Sequence, residues 1–239
     1  MVNKYEWVAI NQCPVCGGSG TPFEKMLEKR VVVAMDICTN CGTRYHNPMM
    51  TEASIQEYYE SGDYLDLHPV SAASEMDRAR RIVKLLDDFG STLPQQIVPR
   101  RILDVGSSYG FFLRMAKEKY GAEILGIEPY SALSVVPEVV KDKRGVKGKF
   151  DLITCTQTLE HLHDPLKEVA WMRSRLTEDG YILIEVPLLN KLKVAHPFIF
   201  SPEAVQLLIK KNGLKIQQLK YSGSDYMVSA SEADDANGS

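Results

Sequence analysis

Residues 101–110 limit most strongly how this chain can fold, because they combine the end of a strand with a tight turn. Ile102, Leu103 and Val105 indicate the end of a buried strand, 106–110 hold small residues between two glycines, and 111–120 have helical composition. A strand, a glycine turn and a helix N-terminus together present backbone N–H groups and the positive end of the helix dipole to an anionic ligand. The segment therefore predicts an α/β fold with a ligand at this turn.

A carboxylate ends the next predicted strand. The stretch 123–127 is largely apolar, and Glu128 and Pro129 follow it. In doubly wound folds an acid at this position accepts hydrogen bonds from ribose hydroxyls. The dinucleotide fingerprint Gly-x-Gly-x-x-Gly is absent, however, and the acid Asp104 precedes the glycine turn. The pattern thus indicates a ligand that contains ribose and argues against a dinucleotide.

Asp104, Gly106, Gly110 and Glu128 resemble motif I and the second-strand acid of the class I S-adenosylmethionine methyltransferases. Ser108 stands where the family usually has its middle glycine. The resemblance covers residues 10–230. It implies a doubly wound, mostly parallel, Rossmann-like sheet that binds S-adenosylmethionine.

The resemblance also implies which residues contact the cofactor. Tyr64 is a candidate for the methionine end, with packing of a lid as the alternative. The remaining implied contacts surround the glycine turn and the ends of the following strands. The full set is Tyr64, Asp104, Gly106, Ser107, Ser108, Tyr109, Gly110, Phe111, Glu128, Pro129, Thr156 and Gln157.

Two Cys-x-x-Cys-Gly motifs precede this core. Cys13 and Cys16 form the first motif, and Cys38 and Cys41 form the second. Four thiolates make a closed tetrahedral site that suits structural Zn²⁺ and leaves no open position for catalysis. Four free thiols are the alternative. The motifs therefore predict a small zinc ribbon that depends on its metal to fold.

The order of these patterns predicts four parts of the chain. Residues 1–50 form the zinc ribbon, 51–100 a helical lid or linker, 101–230 the methyltransferase core, and 231–239 a disordered acidic tail. The core is shorter before Asp151 than in typical family members. This predicts a weak helix at 131–140. It also predicts that the third strand and its acidic loop, which touches adenine in the family, are shortened or missing.

Two histidines are candidates for the chemistry. His161 lies in a segment that resembles the Leu-Glu-His-x-x-Asp-Pro motif of small-molecule methyltransferases. His196 begins a His-x-x-x-Phe-Ser segment like that of the same families, including zinc-bearing sugar C-methyltransferases. The resemblance makes His196 the candidate general base, since an imidazole with a pKa of about 6.5 accepts a proton at neutral pH. His161 is either a contact of cofactor or substrate or a packed, hydrogen-bonded histidine.

Two further details qualify this comparison. Lys193, Val194 and Ala195 replace the Tyr-Asp-Glu run that precedes the histidine in the sugar enzymes, so sugar C-methylation does not follow. His46 is either a fifth metal ligand or a packing histidine.

The charge of the chain argues against nucleic acid as a partner. Its 239 residues carry a formal net charge of −3, whereas nucleic-acid-binding domains present a basic patch. No apolar run approaches the ~20 residues that span a bilayer. The N-terminus lacks the apolar core of a signal peptide. We therefore predict a cytoplasmic protein without membrane contact, and no pattern indicates its oligomeric state.

Together these patterns predict an S-adenosylmethionine-dependent methyltransferase with structural zinc. Its partner is a small hydroxylated acceptor, such as a nucleotide-linked or polymer-bound sugar. Two alternatives stay open. An RNA-base methyltransferase is one, because some of those carry an N-terminal zinc module, and a non-catalytic scaffold is the other, because the stretch before Asp151 is short. The sequence leaves open whether the acceptor atom is oxygen, nitrogen or carbon.

Overall fold

The computed structural model describes residues 4–28, 31–64, 71–90, 98–130, 132, 134–188, 193–222 and 225–232. Its helices are α1 (Glu52–Glu60), α2 (Ala72–Gly90), α3 (Phe111–Tyr120), α4 (Pro165–Ser174) and α5 (Pro202–Lys211). Short 3-10 helices span Lys143–Gly145 and Leu159–His161. Within these ranges no helix has the length and apolar character needed to cross a bilayer.

The strands of the described chain fall into two sheets and one short pair. They are β1 (Trp7–Val8), β2 (Gly20–Glu28), β3 (Val31–Cys38), β4 (Arg44–His46), β5 (Met49–Met50), β6 (Arg101–Val105), β7 (Glu123–Ile127), β8 (Val139–Val140), β9 (Phe150–Thr156), β10 (Leu176–Pro187), β11 (Phe198–Ile199), β12 (Leu214–Ser222) and β13 (Asp225–Glu232).

A seven-stranded sheet forms the centre of the protein, in the order β12-β13-β10-β9-β6-β7-β8. Strands β6 to β10 run parallel, and β12 and β13 form an antiparallel hairpin at one edge. The parallel strands are buried on both faces, as their nearly continuous apolar sequences require, with Leu103, Ile153 and Ile184 wholly buried. This confirms the predicted doubly wound, mostly parallel α/β fold. The strand order reverses between β6 and β9, and such a switch point is where ligands bind in sheets of this kind.

The N-terminal sheet has the order β11-β4-β3-β2 and is antiparallel. Its last strand, β11, comes from the other end of the chain, with Phe198 opposite Tyr45 and Ile199 opposite Arg44. The small ribbon-like sheet is therefore completed by a strand from the segment assigned to the core by sequence.

The predicted helix at 131–140 is wrong for the part of that range that the structure describes. No α-helix forms there, and the range ends in β8, which pairs in parallel with β7. The β-branched pair Val135 and Val136 and the ring of Pro137 all disfavour a helix. The third strand is therefore present, although it has only two residues. Within the described residues, the short sequence has no crossover α-helix before this strand.

The predicted tail also begins too early. β13 continues through Glu232, so Ser231 and Glu232 belong to the sheet, where Ser231 lies opposite Tyr181. The rest of that tail lies outside the described residues. So do residues 65–70 and 91–97, which fall within the predicted helical lid or linker.

A buried ion pair fixes α2 to the central sheet. Glu185 of β10 is fully buried, and its carboxylate accepts two hydrogen bonds from the guanidinium of Arg81, with Nη2 lying 3.1 Å from Oε2. Asp225 lies 4.0 Å from the same guanidinium. Because α2 also lines the cleft described below, this ion pair helps to hold that wall in place.

We expect Arg81→Met to lower the free energy of unfolding by about 3 kcal/mol, because it leaves the buried Glu185 charge without its cation. Urea denaturation followed by circular dichroism measures the change. Arg80→Met is the matched control, since Arg80 lies on the same helix and pairs with Asp77 at the surface. Equal losses in the two variants would contradict the expectation.

Candidate functional site

The turn between β6 and α3 is tight and requires glycine at its start. Gly106 has a φ of +77°, and a Cβ on it would lie 2.2 Å from Oγ1 of Thr158, the residue that follows Gln157 beyond β9. The N–H of Gly110 donates to the carbonyl of Ser107 at 2.8 Å and closes the turn. The backbone of the turn therefore lies directly against the end of β9, at the switch point of the sheet.

Glu128 connects this turn to the end of β7. Its carboxylate accepts hydrogen bonds from the backbone N–H of Ser108 at 2.9 Å and of Tyr130 at 3.1 Å. Burial raises the pKa of Glu128 above its usual range, although these two N–H groups oppose the shift. The acid predicted from the sequence is thus held rigidly beside the glycine turn.

A cleft of about 850 Å³ opens over these residues. It collects six of the twelve predicted cofactor contacts together with side chains from α1, α2 and the turn after β9. Its lining residues are Tyr59, Tyr64, Glu75, Arg78, Gly106, Ser108, Glu128, Pro129, Tyr130, Gln157, Thr158, His161 and Leu162. A second cleft, of about 1170 Å³, shares Tyr59, Gly106 and His161 with the first and extends toward Lys141 and Arg144.

Two side chains equip the first cleft to bind an anionic group. Arg78 of α2 donates from Nη1 to the carbonyl of Thr156 at 3.0 Å, and its Nη2 lies 3.1 Å from the carboxylate of Glu75. Gln157 has a φ of +51°, and its buried Nε2 has no hydrogen-bond partner among the described residues. A buried amide nitrogen without an acceptor is costly in an empty pocket and suits a ligand that supplies one.

Six predicted contacts lie beneath or beside the turn and do not line either cleft. Asp104 is buried, accepts a hydrogen bond from Oγ1 of Thr154 at 2.7 Å, and has its pKa raised to about 6 by burial. Ser107 and Thr156 are also buried. Tyr109 and Phe111 stack on each other, with centroids 5.5 Å apart. Gly110 has a φ of +71° and precedes the first residue of α3. These residues therefore support the turn without lining the clefts.

Six residues that line the first cleft were not predicted from the sequence: Tyr59, Glu75, Arg78, Tyr130, Thr158 and Leu162. Tyr59 belongs to an apolar stripe of α1 that predicts only packing, and its ring lies 4.9 Å from that of Tyr64. Glu75 and Arg78 are one helical turn apart on α2, which is the only sequence signal that they share a face. Which face of α2 meets the sheet is decided by tertiary packing.

The two predicted histidines lie in contact. Their rings are perpendicular, with centroids 4.6 Å apart. Nδ1 of His161 lies 2.7 Å from the carbonyl of Ala195 and 2.8 Å from the hydroxyl of Tyr59. His161 is therefore packed and hydrogen-bonded, and it also lines both clefts, while its contact with cofactor or substrate stays a prediction.

Glu160 lies beside these rings. It is buried, and burial raises its pKa to about 8. One ligand atom each from Glu160, His161 and His196 lie within 4.8 Å of one another. No sequence pattern indicates that Glu160 is buried, because the motif that contains it gives no sign of whether its acid lies inside the protein or at the surface.

The four cysteines of the two motifs meet in one cluster. Their sulfurs lie within 4.8 Å of one another, with Cys13 Sγ 3.7 Å from Cys41 Sγ and Cys16 Sγ 3.4 Å from Cys38 Sγ. Zn–S bonds of about 2.3 Å place the sulfurs of a tetrahedral site about 3.8 Å apart. The cluster therefore fits a tetrahedral divalent ion with little adjustment.

His46 is a packing histidine. It is buried, its Nε2 lies 3.0 Å from the carbonyl of Lys193, and burial lowers its pKa to about 4. Its backbone N–H donates to the carbonyl of Pro197 at 2.9 Å. His46 thereby ties the N-terminal sheet to the segment that carries His196.

A serine makes a second connection of the same kind. The hydroxyl of Ser201 donates to the carbonyl of Cys41 at 2.6 Å and accepts the N–H of Ala204 at 3.0 Å, where it caps α5. The cysteine module therefore holds both ends of the segment that presents His196.

Comparison with known proteins agrees with this geometry. The model of a methyltransferase domain family matches residues 75–219. A magnesium protoporphyrin IX methyltransferase from Synechocystis PCC 6803, solved with bound S-adenosylhomocysteine, has 12% identity and a TM-score of 0.55, covering 77% of this chain and 100% of that one. An S-adenosylmethionine-dependent methyltransferase from Clostridium acetobutylicum ATCC 824 has 12% identity and a TM-score of 0.50, covering 74% of this chain and 98% of that one.

No curated protein sequence matches the chain significantly. At 12% identity the solved structures show a shared fold. The family model spans more than half of the chain. The protein therefore belongs to the methyltransferase domain family, as a member with the class I S-adenosylmethionine-dependent methyltransferase fold and a four-cysteine module at its N-terminus.

Proposed function

We propose that the protein binds S-adenosylmethionine in the first cleft and methylates a small hydroxylated acceptor. The observation that carries the proposal is the meeting of Glu128, Gln157 and Arg78 around the glycine turn in a single cleft. A carboxylate suits ribose hydroxyls, whereas an amide nitrogen and a guanidinium suit a carboxylate. The cleft thus offers a carboxylate to the ribose of S-adenosylmethionine and nitrogen donors to the carboxylate of its methionine part.

When bound, S-adenosylmethionine supplies a methyl group on a sulfonium leaving group, so the protein must mainly align the acceptor and exclude water. Tyr59 and Tyr64 close the cleft beside His161, and their ring faces suit a neighbouring cation. Asp142 lines the second cleft after β8, where it accepts hydrogen bonds from Arg144.

The second cleft is the proposed site of the acceptor. His161 lines both clefts, and its ring contacts that of His196. We assign to the pair the activation of the acceptor hydroxyl, which must lose its proton as its oxygen gains the methyl group. A sugar, either linked to a nucleotide or bound to a polymer, fits a wide cleft lined by both acids and bases.

The four-cysteine cluster is the proposed zinc site. Its closed set of thiolates suits a structural role. Through His46 and Ser201 it would hold the segment that presents His196, which gives the module a function in shaping the acceptor side. RNA remains the less favoured acceptor, because the net charge of −3 offers no basic footprint.

We expect the zinc-loaded protein to bind S-adenosylhomocysteine and Glu128→Gln to bind it about 10 to 100 times more weakly, because the variant loses hydrogen bonds to a charged group worth about 1.5–3 kcal/mol. Calorimetric titration measures both affinities. Glu123→Gln is the matched control, since Glu123 begins the strand that Glu128 follows, is exposed and pairs with Arg101 at the surface. Transfer of a labelled methyl group to hydroxylated acceptors then tests the acceptor class.

Unchanged affinity in Glu128→Gln would contradict the assignment of this residue to the ribose. No binding by the wild-type protein would favour the non-catalytic scaffold. Strong, salt-sensitive binding of RNA would favour the RNA-base methyltransferase instead.

A further inference from the structure

We propose that Glu160, His161 and His196 bind a divalent transition-metal cation at the junction of the two clefts. One carboxylate oxygen and two imidazole nitrogens, one from each residue, lie within 4.8 Å of one another. This site is separate from the four-cysteine cluster and differs from it in chemistry. The proposal deepens the function proposed above, because it assigns the histidine pair a means of activating a hydroxyl.

The carboxylate of Glu160 is the first reason. Its residue is 1% exposed, and its Oε2 has no hydrogen-bond partner among the described residues. Its Oε1 lies 3.9 Å from Nε2 of His161, which is too far for a hydrogen bond. A buried carboxylate oxygen without a partner is costly, and a bound cation removes that cost.

The orientation of His161 is the second reason. The carbonyl of Ala195 can only accept a hydrogen bond, so Nδ1 of His161, at 2.7 Å, carries the proton and donates it. A neutral ring then has its lone pair on Nε2, the nitrogen nearer to Glu160. Metal-binding histidines are commonly held in this way, with the second ring nitrogen donating to a carbonyl. Tyr59, at 2.8 Å from the same Nδ1, fixes the ring further.

The donor set indicates the kind of metal. Two imidazoles and one carboxylate suit Zn²⁺, Fe²⁺ or Co²⁺, and three protein ligands leave coordination positions open. Bonds of about 2.0–2.2 Å would bring the ligand atoms to roughly 3–3.5 Å from one another. The observed spacing is slightly wider, and small side-chain rotations would close it.

An open coordination position at this site would face the acceptor, because His161 lines the second cleft. A hydroxyl oxygen bound to a divalent cation loses its proton more readily, and the proton can leave to water in the open cleft. His196 would then act as a metal ligand, in place of the general base predicted from the sequence.

A titration of the zinc-loaded full chain with Co²⁺ tests the proposal. We expect one equivalent of Co²⁺ to bind in addition to the zinc of the cysteine cluster, with visible absorbance typical of nitrogen and oxygen ligands and without the charge-transfer absorbance of thiolates. Glu160→Gln and His196→Ala should each weaken this binding by at least about 100-fold, since losing a direct ligand costs more than the 10- to 100-fold of an outer-shell partner. His163→Gln is the matched control, because His163 lines the second cleft and lies outside the cluster.

Several outcomes would overturn the proposal. One is a wild-type protein that binds no Co²⁺ beyond the cysteine cluster, which leaves Glu160 as a buried, protonated carboxyl and His196 as the direct base. Another is Co²⁺ binding that survives in both variants. Zinc content and circular dichroism verify that each variant is folded. Titration with S-adenosylhomocysteine is a separate readout, so failure of the metal site and failure of the cofactor site are distinguishable.

Discussion

Cys38→Ala is expected to lose the zinc ion and to unfold the N-terminal sheet in the full chain. Structural zinc contributes on the order of 10 kcal/mol to the folding of small zinc modules, which is comparable to the net stability of a whole domain. β11 would lose its partner β4, and the segment that carries His196 would lose the bond of Lys193 to His46 and the bond of Ser201 to Cys41. Hydrogen exchange over β2 to β4 and over 193–200 measures the loss.

Cys155→Ala is the control for this experiment. Cys155 is the fifth cysteine, buried in β9 and outside the cluster, so its variant should keep zinc and slow exchange in the N-terminal sheet. In Cys38→Ala, methyl-transfer activity should fall because the N-terminal sheet unfolds. Slow exchange over 193–200 in the zinc-free variant would show that the module does not hold this segment.

Gly106→Ala is expected to reduce affinity for S-adenosylhomocysteine by at least about 100-fold, equivalent to about 2.8 kcal/mol. A left-handed backbone costs roughly 1–2 kcal/mol for a residue with a side chain. The new Cβ would also lie 2.2 Å from Oγ1 of Thr158, so either the turn or the end of β9 must move. Both carry residues of the proposed cofactor cleft.

Gly121→Ala separates these two effects. Gly121 has a similar φ of +66° at the end of α3, and a Cβ there would meet nothing within 4 Å. Its variant should lose a little stability and keep its affinity. If the two variants bind equally well by calorimetry, the close approach of Gly106 to Thr158 has no part in binding.

Local sequence patterns predicted the parts of the fold that depend on local chemistry. The apolar run, the glycine turn and Glu128 predicted the strand, the turn and the acid beside it, because a turn with this backbone needs glycine whatever surrounds it. The two Cys-x-x-Cys motifs predicted the sulfur cluster for the same reason, since each motif sets the spacing of its own two sulfurs.

Other parts of the site depend on packing between distant segments, and no short pattern encodes them. Arg78 lines the cleft because α2 lies across the sheet, with Arg81 bonded to Glu185 one turn further along. Glu160 is buried and lies close to His196, which comes from a distant part of the sequence. The helix predicted at 131–140 failed because helical composition is weak there and the chain can connect β7 to β8 without one.

The pairing of β11 with β4 has a consequence for the way such proteins can be recombined. The cysteine module and the methyltransferase core cannot be exchanged at a single junction, because one sheet takes three strands from the module and a fourth, β11, from within the core. A chimera that exchanges only the first fifty residues would pair a foreign β4 with a resident β11. A module transplanted together with 193–201 keeps its own edge strand, and it also brings its own His196, so exchange of the metal module and exchange of acceptor chemistry are physically linked.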